Sequence, residues 1–169
     1  PTRYRSWPEL TQALQRDLVD FTHLLLPLAM RLRFELGIPL KVLGWTHTGG
    51  SALTVRPDIR SVEELAGGTV AIPHWFSIHN VIVQLLLRQA QLTPATELDS
   101  DGAAAHDDHV HLLVMAPTDM PGALAAGTID GFIVAEPFNA RAELDGIGRI
   151  LRFSSDVWRD HACCALVAP

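Results

Sequence analysis

A single lysine, Lys41, is all this chain of 169 residues carries, and Lys and Arg together number 13 against 19 Asp and Glu, for a formal net charge of -6. A surface without clustered cations lacks the electrostatic footprint that follows a phosphate backbone, so nucleic acid is excluded as a partner. Cysteine is as scarce. Cys163 and Cys164 are adjacent in a strand-like run, where neighbouring side chains are expected on opposite faces and a bridge between them is geometrically poor. They say nothing of redox compartment. No window holds the roughly eighteen uninterrupted apolar residues of a membrane span. A G-x-S-x-G elbow, a phosphate loop and a paired-cysteine metal motif are also missing, which leaves nucleophilic catalysis without support and the chain read as a non-enzyme.

What is present is a chain 48% hydrophobic, enough to bury the core of one large or two small lobes. Helical and strand patterns alternate throughout, favouring an α/β fold with a mostly parallel sheet and covering helices. The pattern predicts a helix from Trp7 to Arg16, a short strand from Leu18 to Thr22, a helix from Pro27 to Glu35 ending at Gly37, and a buried strand from Leu40 to Gly44. A loop from Trp45 to Ser51 leads to a strand from Ala52 to Val55. Ser61 and Glu64 form an S-x-x-E capping box. After a strand from Val70 to Ile72, Ser77 opens a long helix to Gln91, with Ile78, Val81, Ile82, Leu85 and Leu86 on one face. Residues 93–108 are polar, alanine-rich and acidic, as in an exposed connector. Strands from Val110 to Met115, Arg149 to Phe153 and Cys163 to Val167 complete the pattern, with a helix to Leu144 before the last two.

The segment from Met120 to Ala140 is the most informative. A helix from Asp119 to Ala126 stops at Gly127, and Thr128 to Ala135 is apolar enough for a strand covered on both faces. Glu136-Pro137 follows at its carboxyl end, with the proline expected at the first helical position. Ligands of open α/β sheets bind outside that end, so Glu136 is placed to look into a crevice.

Two other loops also follow strands. In the first, Gly49 and Gly50 let backbone N–H groups approach a small ligand, Thr48 and Ser51 supply hydroxyls, and Trp45 and His47 offer an apolar wall and a titratable ring. The same composition also suits a plain surface connection. In the second, Trp75, Phe76, Ser77 and His79 surround a helix start whose unpaired N–H groups and dipole attract an anion or carbonyl. Ser77 serves equally as a cap, His79 as a structural histidine, and the aromatics as packing against a lobe. His106, Asp107, His109 and His111 have the residue types of a Zn²⁺ or Ni²⁺ site, but in a polar connector a solvated edge is the stronger reading.

The run A-L-A-A-G-x-I-D-G-F-x-V-x-E-P-F-N-A resembles the solute-binding proteins of ABC importers in the nitrate, taurine and aliphatic-sulfonate group, especially the nitrate and bicarbonate branch. Asp20 to Pro27 is similar to that family's D-x-x-H-x-L-x-P, Ser61 to Pro73 to its L-x-G-K-x-I-G-I-P, Phe76 to Asn80 to its F-S-M-H-N, and Val157 to His161 to its L-W-K-D-H. The resemblance implies a type II periplasmic binding fold of two lobes, with residues 1–72 a partial first lobe, 73–160 the second, and 161–169 a return strand. Family members are usually roughly twice this length, so the chain is expected to be a fragment truncated at both ends. That deprives the lack of a leader sequence of meaning.

By the same resemblance the protein takes a small-molecule ligand between its lobes, delivers it to an ABC permease in the membrane, is periplasmic or membrane-anchored on the extracytoplasmic side, and is a monomer when complete. The same fold also serves cytoplasmic sensors and enzymes of thiamine-pyrimidine and menaquinone precursor metabolism. Ligand contacts are expected from Trp45, His47, Thr48, Gly49, Gly50, Ser51, Trp75, Ser77, His79 and Glu136. In the branch the first loop carries a glutamine before N-G-N, a place taken here by Thr48, and nitrate binders place a lysine where Glu136 stands. No resident cofactor is expected. An ionised Glu136 about 4 Å from a bare anion would repel it by roughly 4 kcal/mol at an effective dielectric near 20. A bridging Ca²⁺, a ligand with its own N–H or positive charge, or a salt bridge to Arg141 would each resolve the conflict.

Overall fold

The computed structural model describes residues 2–96 and 108–169 of the chain. The chain divides into two units, one of Pro1–Gly49, Phe76–Ile78 and Asp160–Pro169, the other of Gly50–Trp75 and His79–Arg159. Residues 50–72 thus fall with the second unit, whereas the sequence assigns them to the first lobe. Strand pairing is the reason, as shown below.

In the first unit, Ser6 has extended backbone and its hydroxyl accepts from the N–H of Glu9, opening α1 (Trp7–Gln15). The Glu9 carboxylate accepts in turn from the N–H of Arg5, just before the cap, which fixes the entry of the chain into the helix. The helix ends in a pair of bonds, Leu18 N–H to Ala13 and Asp17 N–H to Leu14, with Asp17 left-handed at φ 54°. That ending uses up Leu18 and displaces the strand expected from there to β1 (Thr22–Leu25), which runs directly into α2 (Leu26–Phe34). β2 (Lys41–Thr48) and β9 (Ala162–Ala168) complete a three-stranded antiparallel sheet in the order β1-β9-β2. β2 runs four residues past the expected Gly44, so Trp45 to Thr48 are strand rather than loop. As the last strand of this sheet it is half-exposed to exposed throughout, not buried as expected. Leu10, Leu14, Leu24, Leu28, Leu32 and Val167 belong to one buried apolar cluster.

The second unit is built on β3 (Ser51–Val55), β4 (Thr69–Ile72), β5 (Thr93–Ala95), β6 (His109–Val114), β7 (Gly131–Ala135) and β8 (Arg149–Phe153). Their order is β5-β6-β4-β7-β3-β8. The pairs β5-β6, β4-β6 and β4-β7 are parallel, and β3 pairs antiparallel with β7 and β8. The all-apolar expectation for β7 holds over Gly131–Val134, which are buried. β3 is buried at all five positions, so both of its faces are covered.

Helices connect these strands: α3 (Ile78–Gln89), α4 (Met120–Ala125), α5 (Phe138–Leu144) and the single turn α6 (Ser154–Val157). Gly127, at φ 70°, ends the turn after α4 as the sequence indicates. Along α3 the buried face is Ile78, His79, Ile82, Val83, Leu86 and Leu87, while Val81 and Leu85 are exposed. The expected stripe is therefore rotated by about one position, and the rotation brings His79 inside. The capping box at Ser61 is also revised: the Glu64 carboxylate accepts from the N–H of Arg60, at the start of a 3-10 turn over Glu63–Leu65.

Candidate functional site

Gly49 and Gly50 have φ of 62° and 67°, a left-handed conformation that any side chain would strain. Each is tied within its own unit by one backbone bond. The N–H of Gly49 donates to the carbonyl of His161 at 3.1 Å, and the carbonyl of Gly50 accepts from the N–H of Glu136 at 3.0 Å. The next residue, Ser51, is not in a loop as expected. It is the first residue of β3, is buried, and pairs with Ala135 of β7.

From there the Ser51 hydroxyl meets Nε2 of His79 at 3.0 Å, across 28 residues of sequence. A helix rotated to bury His79 and a strand whose first side chain faces inward make the contact. Gly50, Ser51, His79 and Glu136 are thus linked within the second unit by one side-chain and one backbone hydrogen bond, plus the sheet register. Trp75 is exposed at 36%, and its carbonyl accepts from the side-chain amide of Asn80 at 2.9 Å.

Glu136 is exposed, and its carboxylate accepts from the N–H of Ala140 at 3.0 Å. The salt bridge to Arg141 is not formed. Arg141 pairs instead with Asp145, four residues on. Pro137 is not the first helical residue but the cap position before α5, with a cis Glu136-Pro137 bond, and it supplies no side-chain acceptor. The orphan N–H groups of that helix start are what draw the carboxylate of Glu136 back. Among the described residues Glu136 has no ion-pair partner.

Two fully buried polar side chains hold this corner. The Thr54 hydroxyl donates to Oδ1 of Asn139 at 2.9 Å, and the Asn139 amide donates to the carbonyl of Val134 at 2.8 Å. The end of β7 and the first turn of α5 are thereby fixed against β3. The sequence places Asn139 in the family-like run but offers no reason to assign it this role. Its partner Thr54 lies 85 residues away. Asp130 is likewise missed: its carboxylate accepts from the N–H of Thr69 at 2.7 Å and pairs with Arg56 at 3.0 Å, bracing the starts of β4 and β7.

The remaining expected contacts lie in the first unit. Trp45 and Thr48 are exposed on β2, and His47 is half-buried, with a buried Nε2 that has no hydrogen-bond partner among the described residues. Ser77 is buried. Phe76 packs on the cluster of the first unit, with the Arg31 guanidinium 4.1 Å above its ring, which favours the packing role for that aromatic. Of the histidine-rich connector, His106 and Asp107 lie outside the described residues. His109 and His111 are on β6, and Nδ1 of His109 is 3.2 Å from the Asp108 carboxylate. Burial tends to raise the Asp108 carboxyl, but hydrogen bonds from its own N–H, His109 and Thr93 outweigh it and hold the group below its ordinary value.

Among solved structures, the chain is similar to the ligand-binding component of an ABC-type import system from Staphylococcus aureus with zinc bound: 29% identity, a TM-score of 0.84, and coverage of 99% of this chain and 54% of that one. Among curated proteins, it is 32% identical over 93 residues to the bicarbonate transport ATP-binding protein CmpC of Synechocystis, which is 55% of this chain and 12% of that protein. It is 23% identical over 171 residues to the nitrate/nitrite binding protein NrtA of Nostoc, covering 94% of this chain and 38% of that protein. The chain therefore spans about half of the solved relative and less than two fifths of either curated one. The NMT1-like family model matches residues 1–169, and the chain belongs to that family.

Proposed function

We propose that this chain is part of the solute-binding component of an ABC importer, which takes a small polar solute of the nitrate, bicarbonate or sulfonate type and releases it to a membrane permease without turnover. The observation that carries the reading is the likeness, over 99% of the chain, to the ligand-binding component of an ABC-type import system. The protein would then work outside the cytoplasm, with its solute in an inter-lobe cleft. The position of the candidate residues along the chain supports this: the glycine pair spans the crossing from the first unit to the second at Gly49 and Gly50, and Trp75 to His79 spans the two crossings that follow.

Within that reading, Ser51 and Gly50 supply polar groups beside a helix start, and Glu136 supplies a negative charge without a cationic partner among the described residues. A bare anion beside Glu136 is disfavoured. The favoured solute either brings a cation, such as bicarbonate with Ca²⁺, or carries its own N–H donors. Hinge closure of two lobes on the solute would be what the permease detects.

Thermal unfolding of the protein in the presence of nitrate, nitrite, bicarbonate with and without Ca²⁺, an alkanesulfonate and a pyrimidine precursor tests the proposal. A binding solute raises Tm with the logarithm of one plus its concentration over Kd. The expected result is a concentration-dependent rise with one of the first four and no chemical change in the recovered solute. Conversion of the pyrimidine precursor, or no rise with any solute, would overturn it.

A further inference from the structure

Two departures from regular pairing meet near the end of β2. Trp45 pairs with Ala165 and His47 with Cys164, which leaves Thr46 unmatched on β2. Thr48 then pairs with Ala162, which leaves Cys163 unmatched on β9. In an unbroken antiparallel ladder the two cysteine side chains would leave β9 on opposite faces, and only one could share a face with His47. An extra residue in a strand kinks it and re-aims the side chains around it. Here the outcome is a cluster: a ring nitrogen of His47 and the Sγ atoms of Cys163 and Cys164 all lie within 4.8 Å of one another. Burial still alternates along β9, with Cys163 buried and Cys164 half-buried, so the two residues keep the alternating pattern while their sulfurs approach each other and the His47 ring.

At the end of β2, two adjacent residues, one of them in the cluster, carry polar atoms that lack partners. Nε2 of His47 and Oγ1 of Thr46 are both buried without a hydrogen-bond partner among the described residues. Buried polar groups in native proteins are seldom left so, and each such atom asks for a ligand or a water. Cys163 is fully buried, and Cys164 is half-buried, with its thiol pushed far above the usual range by the hydrogen bond to Cys163 and by burial. Neither cysteine is in a disulfide.

We propose that His47, Cys163 and Cys164 bind one borderline-to-soft d¹⁰ cation, of which Zn²⁺ is the representative, at the paired bulges of β2 and β9. Metal–sulfur bonds of about 2.3 Å and a metal–nitrogen bond of about 2.0 Å, arranged tetrahedrally, set the three ligand atoms roughly 3.5–3.8 Å apart. Separations within 4.8 Å thus need to contract by at most about an ångström. Binding breaks two S–H bonds, forms two metal–thiolate bonds and one metal–imidazole bond, and releases two protons to solvent. Three protein ligands leave a fourth position for water or a small donor. Two sulfurs and an imidazole suit Zn²⁺ and disfavour Ca²⁺ or Mg²⁺, which take oxygen. This site is therefore chemically distinct from any Ca²⁺ accompanying a solute at Glu136, and it does not rest on the proposed transport function.

The test uses the whole chain, reduced and stripped of metal under argon. Equimolar Zn²⁺ is expected to bind one per chain and to slow alkylation of both thiols at least tenfold, while Ca²⁺ does neither. Co²⁺ in its place is expected to give thiolate-to-cobalt charge-transfer absorption. His47→Gln and Cys164→Ser are each expected to weaken Zn²⁺ binding at least tenfold with the far-ultraviolet dichroism unchanged. An alkylation rate indifferent to Zn²⁺, or a cobalt complex without sulfur absorption, would overturn the proposal. Both are read on the unaltered chain, so a variant that fails to fold does not protect the proposal. Isolation of a Cys163–Cys164 disulfide as the stable form in the presence of Zn²⁺ would also overturn it.

Discussion

Oγ of Ser51 lies 3.0 Å from Nε2 of His79, with both side chains buried to within 2% of complete. The bond ties the first residue of a central strand to the first turn of a helix, just after two of the points where the chain passes between its units. Ser51→Ala removes this one hydrogen bond of the buried ring and is expected to cost about 1–3 kcal/mol of stability. Because His79→Ala removes the other half of the same contact, the double variant should lose less than the sum of the two single losses, by about 0.5 kcal/mol or more. Urea denaturation of the three variants measures this. Strictly additive losses would mean that the contact carries no energy.

Thr54→Val is expected to be more harmful than its near-identical shape suggests. The substitution strips the donor from Oδ1 of Asn139, which is completely buried, so the cost is that of an unsatisfied carbonyl rather than of a lost methyl group. About 1–3 kcal/mol is expected. Asn139→Leu alone is expected to cost at least as much, because it leaves the Thr54 hydroxyl without its acceptor and removes the donor to the Val134 carbonyl; urea denaturation compares the two variants.

The elements that were legible are those whose signals are local. The strand Arg149–Phe153, the stop at Gly127 and the helix at Trp7 follow from periodicity and from residues suited to turns and caps. Long-range pairing was not legible. The family resemblance places residues 50–72 in the first lobe, whereas β3 is captured by β7 and β8, which arrive some eighty to one hundred residues later. Gly49 and Gly50 do take left-handed backbone, yet the loop around them is only those two residues, because Trp45 to Thr48 lie in a strand paired with β9. The two register shifts beside His47, Cys163 and Cys164 leave no mark in the sequence at all, since they are properties of pairing.

Glu63 gives a pH signature. A hydrogen bond from its own backbone N–H, then one from Ser61, hold its carboxyl below the ordinary 4.5 against a small effect of burial, with Arg152 adding attraction. A group depressed in the folded state stabilises it above the unfolded pKa, and that stabilisation is lost as pH falls through the lower folded value. Ser61→Ala should therefore move the Glu63 titration midpoint upward, toward 4.5, and Arg152→Gln should move it less. Titration followed by carboxyl-carbon NMR reads both. A midpoint indifferent to Ser61 would remove that hydroxyl as a cause.

The last expectation turns on the charge of Glu136. Its carboxylate caps the N–H of Ala140 and has no ion-pair partner among the described residues, so the negative charge is not cancelled locally. Glu136→Gln keeps an acceptor oxygen for the cap and removes the charge, so stability should hardly change. Glu136→Lys removes both, and should cost about 1 kcal/mol through the lost cap. If solute binds beside this residue, affinity for a bare oxyanion should rise from Glu to Gln to Lys, and any Ca²⁺-dependent binding should disappear in both variants. Two unit charges about 4 Å apart interact by roughly 4 kcal/mol at an effective dielectric near 20, but an exposed position and salt reduce this, so about a tenfold step per variant is the expected scale. Calorimetric titration with nitrate, and with bicarbonate with and without Ca²⁺, separates the cases. An unchanged order of solutes across the three proteins, with only the lysine variant less stable, would leave Glu136 a helix cap and nothing more.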